Sequence, residues 1–317
     1  MMTLSRRRFL ASLCVASSAA ARDAGPDLTF PTNARDRIAI TSYPFRAYIQ
    51  SPSNRGRNPA TAPLAKAGPD KAIMDLKEFA GMVAKRFNVY NINPLADHFS
   101  STDSAYLDTF RTEVERAKSH VVDLGLAGKN FYDPNRSERD AAVAYGRKWI
   151  DIARHIGSPS VRQHIHARPG VARNVPLAAD SLRRLVDYGA ERNIIVNLEN
   201  DSAVSEDPYF LISVIRKVNS PYLRALPDFG NSMQGHDAEY NEKAVKAMFG
   251  YAYGMCHVKN IITAKGGRVY RVDVGKMFAI ARASSYRGYF SMEYDTASGD
   301  PFEGTDTLIE ETIKYLA

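Results

Sequence analysis

Ile194-Ile195-Val196-Asn197-Leu198-Glu199 reads as a buried strand that ends on a carboxylate. A helical pattern follows over residues 206–219, and then a second short apolar run, 223–228, also ends on an acid. The same unit recurs in both directions along the chain. Strands are predicted at 38–43, 88–93, 121–127, 160–165, 194–199, 223–228, 254–258 and 288–293. Helices are predicted between and after them at 70–86, 103–118, 137–156, 176–192, 206–219, 238–252, 273–284 and 303–316. Leu76, Phe79, Ala80, Val83 and Phe87 fall on one face at the 3.6-residue period, as do Leu182, Leu185, Val186 and Gly189. Eight strands, each followed by a helix, predict an α/β fold, a single-domain (β/α)8 TIM barrel over residues 36–317. An open doubly wound sheet is the alternative. It usually carries a Gly-rich phosphate loop after its first strand, and none follows residue 43.

The N-terminus reads as an address. Ser5-Arg6-Arg7-Arg8-Phe9-Leu10 precedes a short apolar stretch and then Ala19-Ala20-Ala21, the pattern of a twin-arginine (Tat) signal peptide over residues 1–21. Residues 22–35 read as a linker. The expected location is periplasmic or secreted, with no membrane anchor in the mature chain. Removing residues 1–21 takes away three arginines and no acid, so the formal charge falls from +7 to +4. The remaining charges are interspersed and form no basic stripe with aromatics, which argues against a nucleic-acid partner. Cys14 leaves with the signal and Cys256 is then the only cysteine, which excludes an intramolecular disulfide. Residues 46–69, rich in Arg, Asn, Pro, Gly and Ser, predict a long loop at the C-terminal rim. Its Arg46, Arg55 and Arg57 are candidates for anionic or polyhydroxy substrate groups.

The chemistry lies at the ends of the last four strands. Glu199, Asp228 in Leu226-Pro227-Asp228, His257 in Met255-Cys256-His257 and Glu293 in Ser291-Met292-Glu293 each close a different strand. Barrel closure brings those ends around one axis, where three carboxylates and an imidazole repel one another unless a cation joins them. Mixed oxygen and nitrogen donors suit one divalent metal ion: Mn, Mg, Co or Zn. A carboxylate at a strand end commonly caps the next helix instead, but four on consecutive strands are hard to explain as caps.

With these motifs the chain resembles the sugar phosphate isomerase/epimerase superfamily, the xylose isomerase-like barrels. The resemblance covers about residues 36–317 and rests on Asn-Leu-Glu199-Asn, Pro-Asp228-Phe-Gly-Asn, Cys-His257-Val-Lys-Asn and Ser-Met-Glu293-Tyr. It implies metal ligation by Glu199, Asp228, His257 and Glu293, a sugar as partner, and a possible homo-oligomer. It also implies proton transfer by Glu199 and Glu293 through a metal-stabilised enediolate, giving isomerisation or epimerisation. Loss of a β-substituent from a 3-keto sugar, inosose or oxidised glycoside would make the protein a lyase or dehydratase. A non-catalytic sugar-binding protein is a third reading. Endonuclease IV-like relatives need more His and acidic ligands than His98 and His164 supply. Epimerases often carry a His three residues after the aspartate, where this chain has Asn231.

Further candidates surround the tetrad. Arg162, His164 and His166 alternate on the fourth strand and share its inner face. His164, His166, Asn231, Lys259 and Asn93 are candidate substrate-binding groups, with Asn91 beside Asn93. Tyr43 and Phe45 are candidates for an apolar wall under a sugar ring. His98, His120, His155 and His236 read as surface or structural.

Overall fold

The computed structural model describes residues 25–52, 74–167, 169–201, 203–263, 267–295 and 299–317. The expected signal peptide, residues 22–24 and most of the 46–69 loop, including Arg55 and Arg57, lie outside them.

The strands are β1 (Ile38–Thr41), β2 (Asn91–Asn93), β3 (His120–Val121), β4 (Leu124–Lys129), β5 (Ser160–Ile165), β6 (Ile195–Glu199), β7 (Leu223–Leu226), β8 (Met255–Val258), β9 (Ile261–Thr263), β10 (Val269–Arg271) and β11 (Tyr289–Met292). The helices are α1 (Phe79–Phe87), α2 (Ser104–Arg116), α3 (Arg136–His155), α4 (Val175–Ala190), α5 (Pro208–Val218), α6 (Ala238–Phe249), α7 (Val274–Ala283) and α8 (Pro301–Leu316). Two parallel arrays, β3-β2-β1-β11-β8 and β4-β5-β6-β7, share the barrel strands. Parallel bridges join their edges: Leu95 with Gly125 on one side, and Ala225 with Ala252 and Asp228 with His257 on the other. The chain is thus a closed parallel (β/α)8 barrel in a single domain, as the strand–helix rhythm predicts.

Burial follows from that closure. All five residues of β6 are buried, because one face meets the helix layer and the other meets the barrel interior. Val196 and Leu198 belong to the main apolar cluster, with helix residues Leu182, Leu185 and Leu211. The interior of the C-terminal half is polar instead, and it carries Arg162, Asn197, Glu199 and His257.

Three elements differ from expectation. The third strand is broken into β3 and β4 around Val122 and Asp123. Its partner chain continues into Pro94, which has no N–H to extend the ladder. Gly125 resumes pairing through a bond from its N–H to the Pro94 carbonyl. Within the first predicted helix, Met74 and Asp75 are not helical, and a 3-10 turn at Leu76–Glu78 leads in under an Asp75–Glu78 capping box. An antiparallel pair, β9–β10, precedes α7. The stretch predicted as a linker also packs in part. The Tyr222 and Tyr253 hydroxyls donate to the carbonyls of Gly25 and Pro26, and Phe30 meets Tyr253 and Tyr289 edge-on.

Candidate metal centre and active-site cavity

Glu199, Asp228, His257 and Glu293 each present a ligand atom within 4.8 Å of the others. Each lies at or near the C-terminal end of a barrel strand, so the fold itself gathers them. All four are buried. His257 Nδ1 lies 2.6 Å from Glu199 Oε1, 2.6 Å from Glu293 Oε2 and 3.9 Å from Asp228 Oδ2. One N–H cannot serve three carboxylates.

The other ring nitrogen settles what Nδ1 is for. His257 Nε2 lies 3.0 Å from Asn93 Oδ1. Asn93 cannot be flipped, because its Nδ2 donates to the carbonyl of Asp123 and faces the Asp123 carboxylate at 3.3 Å. Asp123 is itself fixed by Ser160 and Asn197. Oδ1 must therefore accept from His257 Nε2–H. A neutral imidazole then aims the Nδ1 lone pair at three carboxylates, which is repulsive unless a cation stands between them. The donor set thus fits a divalent metal. Burial disfavours charge on His257, but Glu199 and Glu293 hold it well above the usual imidazole range.

The carboxylates are not equivalent. Burial opposes ionisation of Glu199, yet the Arg162 guanidinium, in direct contact with it, and His257 hold it well below the usual range. Burial likewise opposes Glu293, but Lys259 and His257 bring it to about 2. Asp228 goes the other way. Burial pushes it up to about 7 against the pull of Lys259. Its Oδ1 accepts from the backbone N–H groups of Gly230 and Asn231, while its buried Oδ2 has no hydrogen-bond partner. Apart from a 3.4 Å ion pair with Lys259, that oxygen is left free to serve as a ligand, a second sign that the donor set fits a cation.

Above the tetrad lies a cavity of about 640 Å³, lined in part by Tyr43, Arg46, Arg162, His164, His166, Asn231 and Lys259. Glu199 and Glu293 also reach it. Lys259 is buried, with Nζ 2.8 Å from Asn231 Oδ1 and 3.4 Å from both Asp228 and Glu293. Arg46 stacks on Tyr43 at 4.1 Å.

Other candidates sit elsewhere. Asn93 does not line the cavity: it stands behind His257 as a hydrogen-bond partner. Asn91 bonds the carbonyls of Asp36 and Ile38 at the other end of the barrel. Phe45 is fully buried against Phe79, Phe87 and Phe302, because Pro44 and a 3-10 turn rotate it away from the cavity. His98 is buried against Ser42, His155 pairs with Asp108 on the surface, and His236 stacks on Tyr240. Among residues not singled out in the sequence, Asp123 orients Asn93, and Glu206 holds His164 Nδ1 at 2.6 Å. Asp123 had a signal, an acid inside a predicted strand. Glu206 had none, because it falls on a helix start where acids are common.

The fold and the cluster together define a parallel (β/α)8 barrel whose last four strands converge on a carboxylate–histidine centre. The chain belongs to the xylose isomerase-like TIM barrel family, whose profile matches residues 84–317. Several solved structures share the fold. A xylose isomerase-like TIM barrel protein from Mycobacterium smegmatis in complex with magnesium is 16% identical, with a TM-score of 0.64, over 91% of this chain and 97% of that one. D-allulose 3-epimerase from Methylomonas sp. in complex with D-allulose is 14% identical, with a TM-score of 0.65, over 90% and 98%. An L-ribulose 3-epimerase is 12% identical, with a TM-score of 0.64, over 88% and 95%. No curated protein sequence matches the chain.

Proposed function

We propose that this protein is a metal-dependent isomerase or epimerase of a keto-sugar, working by proton abstraction beside the carbonyl. The observation that carries the reading is the His257 Nδ1 lone pair, fixed by Asn93 and aimed into three carboxylates. Glu199, Asp228, His257 and Glu293 would hold one divalent ion, Mn, Mg, Co or Zn. When bound, the ion supplies Lewis-acid stabilisation to the oxyanion of an enediolate. The sugar is suggested by the family and by neighbours named as sugar epimerases.

The chain's own residues divide the work. Asp228 and His257 lie below the cavity and serve as ligands, whereas Glu199 and Glu293 reach it and are placed to move protons. Arg162 keeps Glu199 anionic and fixed. Lys259 keeps Glu293 anionic and, with Asn231, offers hydrogen bonds to substrate oxygens. Taking a proton at one face and returning it at the other gives epimerisation, and return to the neighbouring carbon gives isomerisation. Elimination is the second reading, favoured by the pairing of His166 with Glu206. Export through a twin-arginine signal at residues 1–21 is part of the same proposal.

The test is proton exchange by NMR in D₂O with keto-hexoses and keto-pentoses and added Mn²⁺. Wild-type protein is expected to exchange the proton beside the carbonyl, and Glu199→Gln to lose at least ~10²-fold of that rate. Exchange at the wild-type rate in a folded Glu199→Gln variant would sink the assignment.

A further inference from the structure

One wall of the cavity carries proton-transfer groups that epimerisation does not use. On β5, Arg162 and His164 point inward, and His166 follows on the same face just past the strand end. Each step of two residues advances about 6.5 Å toward the rim. His164 Nε2 is 3.4 Å from Glu199, and the His166 ring lies one ring further out, 5.7 Å from His164 between centroids. His166 is half exposed and lines the cavity. Gly128 lies against it, and any β-carbon there would overlap the imidazole.

Glu206 is the partner that gives this histidine a function. It is 1% exposed, just before α5. Its Oε1 is saturated by the Ile165 N–H at 2.8 Å and by His164 Nδ1 at 2.6 Å. Its Oε2 has no hydrogen-bond partner and faces His166 Nε2 at 3.3 Å. A buried carboxylate with one oxygen pinned and the other aimed at a solvent-facing imidazole is an acid–base dyad. The neighbouring groups are also close enough to suggest a second cation, since His164, His166, Asp201 and Glu206 lie within 4.8 Å. His164 speaks against that. Its Nε2 meets the Arg162 guanidinium at 2.6 Å and must accept, which puts the ring proton on Nδ1, toward Glu206. The lone pair a cation would need is taken.

We propose that His166, held by Glu206, is a general acid for an oxygen leaving group, giving this enzyme a β-elimination activity on oxidised glycosides. The inference rests on the enediolate reading and settles the fate of that intermediate when the substrate carries a leaving group. A carboxylate of the centre takes the proton from the carbon beside the carbonyl. A carbon–carbon double bond forms as the carbon–oxygen bond one carbon further breaks. The departing oxygen keeps the bonding pair and takes the His166 proton. The products are an unsaturated keto-sugar and a neutral alcohol, with no change in redox state.

The experiment compares methyl and 4-nitrophenyl 3-keto-glucosides with wild type, His166→Gln and Glu206→Gln, each loaded with Mn²⁺. The methoxide group needs a proton to leave and nitrophenolate does not. Both variants should lose about 10²–10⁴-fold on the methyl glycoside and under about tenfold on the nitrophenyl one. Equal losses on both substrates overturn the proposal, because they indicate binding or structure. Proton exchange by wild type without elimination overturns it while leaving the enediolate reading intact. Absence of exchange with every substrate overturns both. Binding of two Mn²⁺ per chain, reduced to one in Glu206→Gln, overturns it in favour of a second cation site.

Discussion

The side chain that decides the metal centre is one that would not touch the metal. Asn93 is fully buried, and its amide orientation is dictated by Asp123. It therefore dictates which nitrogen of His257 carries a proton. Asn93→Leu should lower Mn²⁺ affinity about 10–100-fold, the usual cost of losing such a partner. Titration of the folded variant checks this, and unchanged affinity would show that His257 is oriented otherwise. The convergence of the four proposed ligands was legible in the sequence because each stands at or beside a strand end, and strand ends of a barrel have only one place to go. Asn93 was read as a substrate-binding group, and its place behind His257 was not legible, since which polar group stands behind another depends on packing across the barrel. His98 shows a similar limit. Ser42 Oγ accepts from the Leu95 N–H at 3.0 Å and lies 2.8 Å from His98 Nδ1, which gives the buried ring a neutral partner. Burial, with a smaller push from Arg46, lowers His98 to about 4. Between about 6.5 and that value the unfolded chain binds a proton that the folded chain refuses. Stability from this group is thus fully present above pH 6.5 and falls as pH drops toward 4, by an amount on the order of 3 kcal/mol. Urea midpoints of wild type and His98→Gln at pH 7 and 4.5 test it. The variant should lose less between the two pH values, and identical losses would refute the assignment.

At the scale of elements, helix starts do two jobs in this barrel. Asp207 caps α5 by accepting from the Phe210 N–H at 2.9 Å, and its other oxygen accepts from the Tyr240 hydroxyl at 2.7 Å. Arg173 adds an ion pair at 3.1 Å. The cap fixes the chain direction just before the helix, and that direction turns Glu206 inward. Asp207→Ala should cost about 1–2 kcal/mol as a cap. Because Glu206 sits on the same turn, the variant should also lose part of any activity that depends on His166. Denaturant unfolding measures the first effect, and a stability equal to wild type would show that Tyr240 and Arg173 are not bracing the helix start. Helix positions were readable from the apolar period. The break between β3 and β4 was not, because it follows from Pro94 on a neighbouring strand, and ladder partners are not written in local sequence. The β9–β10 pair was hidden for another reason: strands of three residues carry too few alternations to register.

For the whole molecule, closure and charge are linked. The barrel is held shut at its second seam by pairing of Asp228 with His257, two of the proposed ligands, through the His257 N–H to Pro227 and the Phe229 N–H to the His257 carbonyl. The same closure crowds Glu199, Asp228 and Glu293 together, and this is a cost that Arg162 and Lys259 offset only in part. At the far end the 25–30 segment is tied down by Tyr222 and Tyr253, so that end is braced by aromatic contacts and hydrogen bonds and needs no ion. The eight-unit rhythm made this architecture readable from sequence, while the seam and the N-terminal strap depend on pairings between distant segments. A cation bound only by the folded barrel should therefore stabilise the molecule as a whole. At a free concentration one hundred times its dissociation constant, the gain is about 2.7 kcal/mol. For a domain of this size that corresponds to a rise in melting temperature of roughly 4–5 °C. Scanning calorimetry of Mn²⁺-loaded and chelator-treated protein measures it. Glu293→Gln should shrink the difference by removing a ligand. A melting temperature indifferent to both Mn²⁺ and chelator would mean that the four strand ends do not hold a cation, whatever their spacing.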